Sequence, residues 1–90
     1  MLARVATFDS LPDDLDDDAV DLLRATIKAV PGYVAGFHFR DPRTSKAMSI
    51  TVYEDRDAVE RVREAMSRRP DSDKVGIDPD HVEVFEAFAF

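Results

Sequence analysis

Two side chains in predicted strands have the chemistry of a general base and of an anion-stabilising hydroxyl. His38 lies in the middle of the segment VPGYVAGFHFRD, residues 30–41. An imidazole with the ordinary pKa of about 6.5 can accept a proton at neutral pH. Tyr53 ends a predicted third strand, and its hydroxyl can hold a phenolic oxygen or stabilise an anion. We therefore predict His38 and Tyr53 as catalytic residues.

Each of these residues also has a purely structural interpretation. His38 can hydrogen-bond across a subunit interface or lie at a solvated edge, since its strand is predicted at the edge of the sheet. The amphipathic ring of Tyr53 can cap the mouth of a barrel. The sequence leaves both interpretations open.

Other classes of chemistry lack the residues that they need. The chain has no cysteine and only three glycines, which excludes thiolate nucleophiles, sulfur-ligated metals and a phosphate-binding glycine loop. No serine has the Gly-x-Ser-x-Gly context. The segment DSDKVG, residues 71–76, resembles the start of a calcium loop, but Val75 and Val82 stand where ligands belong. We predict no metal.

Composition and length limit the partners that we expect. Nineteen acidic and 12 basic residues give a net charge of −7, which disfavours binding to a phosphate backbone. No apolar run approaches the roughly 20 residues of a membrane span, and the N-terminus does not resemble a secretory signal. We expect a soluble, cytoplasmic protein with no nucleic-acid partner. We expect a single domain over residues 1–90. A domain of this size buries only about 60 to 65% of its unfolded surface, so its stability is limited, and dimerisation commonly adds the missing buried surface.

The apolar pattern predicts the element order β-α-β-β-α-β. Strands are predicted at 2–8, within 30–41, at 47–53 and at 81–90, and helices at 15–30 and from a cap at Asp55 or Asp57 to Pro70. In the second helix, Glu60 lies three residues after Asp57, in capping-box position. This order predicts an α+β, ferredoxin-like fold: a four-stranded antiparallel sheet of order 4-1-3-2 with both helices on one face.

The other face of this sheet is then bare, and we assign residues to it by alternation. In the third strand Met48, Ile50 and Val52 form the more apolar row and are assigned to the helices. The bare face receives the alternate residues of the first three strands, which include Arg4, His38, Ala47, Ser49, Thr51 and Tyr53. Both faces of the fourth strand remain open. A second copy pressed onto the bare face would enclose a cavity of mixed character.

Three further residues of this predicted cavity are assigned to substrate binding. They are Arg4, Thr51 and Glu86. Glu86 is a provisional member, because the facing of its strand is open. The alternative for Arg4 and Glu86 is a buried ion pair between adjacent strands.

The chain resembles the dimeric α+β barrel superfamily, in particular small proteins of the antibiotic biosynthesis monooxygenase type. Pro31-Gly32-aromatic before the second strand and SITVYED leading into a helix carry the resemblance, with MLARVATFD and HVEVFEAFAF as first and last strands. The resemblance implies a homodimer whose facing sheets close a barrel, often with the last strand reaching toward the partner. Some members oxidise polycyclic phenols or anthrones with oxygen and no cofactor.

The resemblance therefore implies that the chain binds a small aromatic ligand and oxidises it without a cofactor, with His38 as the base. The haem-degrading activity of other members is not expected, because the first strand has no asparagine, neither helix has a histidine and the chain has no tryptophan. The alternative is a non-enzymatic dimer that binds a ligand or is purely structural. A third interpretation is a monomer whose bare face is covered by another protein.

Overall fold

The computed structural model describes residues 1–70 and 77–90, so the calcium-like segment 71–76 lies outside the described residues. The elements are β1 (Leu2–Phe8), α1 (Asp17–Lys28), β2 (Tyr33–Arg40), β3 (Ala47–Tyr53), α2 (Arg56–Ser67) and β4 (His81–Glu86). The four strands form one antiparallel sheet of order β2-β3-β1-β4. The predicted ferredoxin-like α+β fold and its strand order are confirmed, and β2 and β4 are the edge strands.

Aspartates that precede each helix determine where it begins. The Asp16 carboxylate accepts hydrogen bonds from the backbone N–H groups of Asp18 and Ala19, at 2.9 and 3.3 Å. Asp55 caps α2 by accepting from the Ala58 N–H at 2.9 Å. The predicted alternative cap at Asp57 is wrong, because Asp57 already lies in the first turn of α2. Each cap satisfies donors that would otherwise lack an intrahelical partner.

A glycine turn joins the end of α1 to the beginning of β2. Gly32 has a φ of +94°, and a Cβ atom at this position would approach the Ala58 Cβ to 2.6 Å. The Gly32 carbonyl accepts a hydrogen bond from the Glu54 N–H at 2.8 Å. Only glycine fits both the left-handed backbone and the close approach of α2.

The core lies between α2 and the sheet, on the row of β3 opposite to the one that we predicted. Tyr53 is only 1% exposed and packs with Val30, Ala58, Val59 and Val62. By alternation along β3, the residues that share the helix side with Tyr53 are Thr51, Ser49 and Ala47. The assignment of Met48, Ile50 and Val52 to the helices is therefore wrong. The more apolar row faces away from the helices.

The face of the sheet that carries no helix is rich in exposed aromatic rings. Phe37, Phe39 and Phe85 are 61, 53 and 50% exposed. The rings of Phe37 and Phe39 stack with their centroids 6.5 Å apart. The strand register places Phe37 opposite Ile50 and Phe85 opposite Ala3. The row of Phe85 continues through Ala3 and Val52 to Ala35 and is apolar across all four strands, whereas the row of Phe37 continues through Ile50 and Val5 to Glu83. Both rows belong to the same face of the sheet. We call it the bare face.

The facing of β4, which the sequence left open, follows from its register with β1. Glu86 pairs with Leu2, and Val84 pairs with Arg4, so Val82, Val84 and Glu86 lie on the helix side of the sheet. The strand ends at Glu86 rather than at residue 90. Beyond it, the Ala87 N–H donates to the Met1 carbonyl at 2.9 Å, while Phe88 and Phe90 are exposed.

Candidate functional site

A cleft of about 640 Å³ lies between α1 and the sheet. Helix α1 packs on α2, but none of its residues is buried, so its apolar side chains Val20, Leu23 and Ile27 face this space. The volume is within the range of small-molecule sites, about 300 to 1,000 Å³. The sheet residues that line the cleft from the helix side include Phe8, Tyr33, Gly36, His38, Arg40, Ser49 and Thr51, and those from the β1–α1 connection include Leu11, Pro12 and Leu15.

His38 and Ser49 form a hydrogen-bonded pair on the sheet side of the cleft. The two residues are directly opposite in the register of β2 and β3. The Nδ1 atom of His38 lies 2.6 Å from the Ser49 Oγ atom. When Nδ1 carries the proton and donates it to Ser49, the lone pair of Nε2 is free to accept a proton from a ligand.

The surroundings of His38 favour its neutral form. Partial burial lowers the pKa of His38 below 6.5, and the positive charge of Arg24 on α1 lowers this pKa further. The imidazole is therefore predominantly neutral at pH 7, as a general base must be. Because the side chain remains exposed to the cleft, a ligand can reach it.

Tyr33 is a residue of the cleft that the sequence interpretation missed. The register between β2 and β3 shifts between Tyr33 and Ala35, where β2 has an irregularity, and Tyr33 pairs with Tyr53. This shift brings the Tyr33 ring to the helix side, and its hydroxyl lies 3.2 Å from where a Cβ atom of residue 36 would be. Gly36 was the available signal, because an isolated glycine within a strand indicates a bulge or a close approach.

Of the two predicted catalytic residues, only His38 lines the cleft. Tyr53 lies in the core under α2, where burial raises its pKa above 10 and a hydrogen bond to the Thr51 side chain partly opposes that rise. Thr51 itself lines the cleft beside His38. The structure thus brings His38 and Thr51 together in the cleft and places Tyr53 in the core under α2.

Arg4 and Glu86 lie on the helix side of the sheet, outside the cleft. Arg4 pairs with Thr51 and is near enough to Tyr53 for its charge to act against the raised pKa of that residue. Glu86 lines a second pocket of about 550 Å³ beside Met1 and the beginning of α2. In the part of the chain that the structure describes, Arg4 and Glu86 do not form an ion pair within 4.0 Å.

Arg40 holds one end of the cleft together. Its Nε and Nη2 groups donate to the Leu11 carbonyl, both at 3.4 Å, and Nη2 also donates to the Ser45 hydroxyl at 3.2 Å. The Leu11 N–H in turn donates to the Ser45 carbonyl at 2.8 Å. These bonds tie the segment before α1 to the β2–β3 connection.

The chain combines a ferredoxin-like α+β sheet with a cleft under its first helix. No protein-family model matches it, and no curated protein matches it. Within residues 1–70 and 77–90 no helix is long and apolar enough to cross a membrane.

Several solved structures share the fold. A candidate antibiotic biosynthesis monooxygenase from Bordetella bronchiseptica is 15% identical with a TM-score of 0.70, covering 98% of this chain and 97% of that one. A variant of SnoaB, a cofactor-independent oxygenase from Streptomyces nogalater, is 17% identical with a TM-score of 0.69, covering 99% and 94%. A further antibiotic biosynthesis monooxygenase is 19% identical with a TM-score of 0.57, covering 99% and 100%. The resemblance noted from the sequence is confirmed at the level of the fold.

Proposed function

We propose that the cleft under α1 binds a small aromatic ligand and that the chain oxidises this ligand with molecular oxygen, without a cofactor. The observation that carries this proposal is the His38–Ser49 pair at the surface of an apolar cleft of about 640 Å³. The likeness in fold to SnoaB, described as a cofactor-independent oxygenase, supports the same reaction class.

The proposed reaction begins with proton transfer to His38. The Nε2 atom accepts a proton from an acidic carbon of the ligand, such as the methylene group of an anthrone, and leaves an electron-rich carbanion. This anion reduces oxygen and forms a carbon–oxygen bond to it, which gives a peroxide anion. The peroxide anion takes the proton back from Nε2 of His38, which gives a hydroperoxide and restores the neutral base. Loss of water from the peroxide converts the methylene into a carbonyl. The ligand supplies all four electrons, one oxygen atom enters the product and the other leaves as water.

The residues around His38 assist this step. Neutral His38 is available as a base because burial and Arg24 lower its pKa. The Ser49 hydroxyl orients the ring. Leu23 and Ile27 of α1 cover the bound ring system and exclude water from the developing anion.

We also propose that the chain is a homodimer joined through the bare face. Three aromatic rings that are half exposed or more lie there, two on β2 and one on β4. Apolar residues of β3 and β1 lie between them, and a soluble monomer rarely exposes a contiguous apolar patch of this kind. The cleft is on the opposite side of the sheet. Each protomer therefore has a complete cleft, in contrast to the cavity between subunits that we expected from the sequence. A cytoplasmic location is compatible with the lack of cysteine.

The test is oxygen consumption with a dihydroxyanthrone, measured for the native protein and for His38→Ala. Loss of a general base is expected to lower kcat by about 10²- to 10⁴-fold. His81→Ala is the matched control, because His81 is the other histidine of the chain and does not line the cleft. Turnover by His38→Ala at the native rate would contradict the proposal. Binding of the anthrone without any turnover by the native protein would instead support the non-enzymatic ligand-binding module.

A further inference from the structure

Basic side chains enter the cleft from α1 and from β2, and they differ in whether they already have partners. Arg24 and Lys28 lie one turn apart on α1, and both line the cleft. The guanidinium of Arg40 is engaged with Leu11 and Ser45. Among residues 1–70 and 77–90, neither Arg24 nor Lys28 forms an ion pair within 4.0 Å. Within the described part of the chain, these two cationic groups of the cleft thus have no counterion.

The acidic residues of the cleft lie toward the other end of α1. Asp13 and Asp17 line the cleft near the beginning of the helix. Arg24 follows Asp17 by seven residues, a rise of about 10 Å along the helix axis. Arg24 and His38 both line the cleft, and the charge of Arg24 acts on His38. The charged and titratable groups that line the cleft with His38 are Arg24 and Lys28 of α1, Arg40 and Tyr33 of β2, and Asp13 and Asp17 near the beginning of α1.

We propose that the cleft selects an anionic aromatic ligand, one that bears a carboxylate, and that Arg24 binds this carboxylate beside His38. The inference rests on the proposed function and names its substrate class. A guanidinium presents its N–H donors in a planar fork that matches a carboxylate. The apolar side chains Leu23 and Ile27 next to Arg24 contact the ring system, while the cation fixes its orientation.

This arrangement has a consequence for the base. A bound carboxylate compensates the charge of Arg24, so one of the two causes that lower the pKa of His38 is weakened in the complex. Ligand binding is therefore expected to raise the pKa of His38. Arg24 acts on the reaction as a positioning residue, through the orientation of the ligand and through the basicity of His38.

The test compares two ligands of nearly equal shape that cannot be oxidised, anthraquinone carboxylate and anthraquinone carboxamide. Their dissociation constants are measured by calorimetry with the native protein. We expect the carboxylate to bind about 10- to 100-fold more tightly, the range of a charge-assisted hydrogen bond. Equal affinities for the two ligands would overturn the inference and leave the proposed function standing. Failure of both ligands to bind would contradict the proposed function as well.

The variant Arg24→Gln is expected to lose the preference for the carboxylate and to retain its affinity for the carboxamide. Arg63→Gln is the matched control, because Arg63 is an exposed arginine of α2 that does not line the cleft. In the native protein, NMR titration of the His38 ring should give a higher pKa with the carboxylate bound than without it. Retention of the preference by Arg24→Gln would overturn the inference. Circular dichroism verifies that both variants are folded.

Discussion

The Nδ1 atom of His38 lies 2.6 Å from the Oγ atom of Ser49, across the register of two neighbouring strands. Both residues are on strands rather than on loops, so the sheet fixes their separation. A base held in this way presents its second nitrogen to the cleft in a defined direction. This fixed geometry is the reason why we assign the role of general base to His38 and the role of orienting its ring to Ser49.

Replacing Ser49 by alanine removes the partner of Nδ1 but keeps the base. We expect kcat for oxygen consumption to fall about tenfold, since the ring loses its preferred tautomer and orientation, while KM stays within about twofold. Ser49→Thr retains the hydroxyl on a strand-favouring side chain and should restore most of the rate. A decrease in KM and kcat that the threonine variant does not reverse would indicate a structural role alone.

The pH dependence of oxygen consumption should report the pKa of His38. Only the neutral imidazole accepts a proton, so kcat/KM should fall on the acidic side with a midpoint below pH 6.5, because burial and Arg24 both lower this pKa. In Arg24→Gln the midpoint should move upward and remain below 6.5, since burial is the larger cause. A midpoint above 6.5 in the native protein would contradict this assignment.

The same pKa shift has a consequence for stability. The folded-state pKa of His38 lies below the unfolded value, so the unfolded chain binds the proton more readily. The contribution of His38 to the free energy of unfolding is present above about pH 6.5 and is lost as the pH falls through the folded-state pKa. His38→Gln should flatten that part of the stability profile measured by urea unfolding.

Gly32 and Gly36 should differ in how they tolerate alanine. Gly32→Ala places a Cβ atom 2.6 Å from the Ala58 Cβ and requires a positive φ. We expect a loss of about 2 to 4 kcal/mol in the free energy of unfolding. The tightest contact of a Cβ atom in Gly36→Ala is with the Tyr33 hydroxyl at 3.2 Å, and this side chain can shift, so a loss below about 1 kcal/mol is expected. Chemical denaturation that ranks the two variants in the opposite order would contradict the described turn.

The bare face should control the oligomeric state and leave the cleft unaffected. Phe85→Glu places a charge on that face, and we expect the dimer to dissociate in light scattering at micromolar concentration. Val82→Glu is the matched control, because Val82 is 46% exposed on the same strand but faces the helix side. Dissociation of both variants, or of neither, would argue against a dimer through the bare face.

The fold was predictable because local signals agree with one another along the chain. Asp55, Gly32 and the helical spacing of Ala58, Val59 and Val62 each indicate a boundary or a buried stripe that the structure has. The strands at Leu2–Phe8 and Ala47–Tyr53 begin and end as predicted. Such agreement between local preference and overall fold is what makes a small domain predictable.

The faces of the sheet were not predictable in the same way. We assigned the more apolar row of β3 to the helices, but that row lies on the bare face. A count of apolar residues cannot distinguish a face that packs on a helix from one that lies bare. The helix side is less apolar because α1 is held off the sheet and leaves a cleft lined by Ser49, Thr51 and His38.

The side-chain positions near the irregularity of β2 could not be predicted from the sequence either. Strict alternation along the strand would place Tyr33 on the same side as Phe37, whereas the irregularity between Tyr33 and Ala35 reverses the side on which Tyr33 lies. For Tyr53 the side of the sheet was predicted correctly, but its surroundings were not. It was correctly assigned to the side of His38, but it lies beneath α2 in the core, since only the three-dimensional packing decides which part of that side the cleft occupies.

Methyl NMR of the native protein with anthraquinone carboxylate tests most directly where the ligand binds. We expect concentration-dependent shifts of the Val20, Leu23 and Ile27 methyl groups, which face the cleft, and little change at Val5 and Val52 on the bare face. Shifts confined to Val5 and Val52 would place the ligand on the opposite side of the sheet and contradict a binding site under α1.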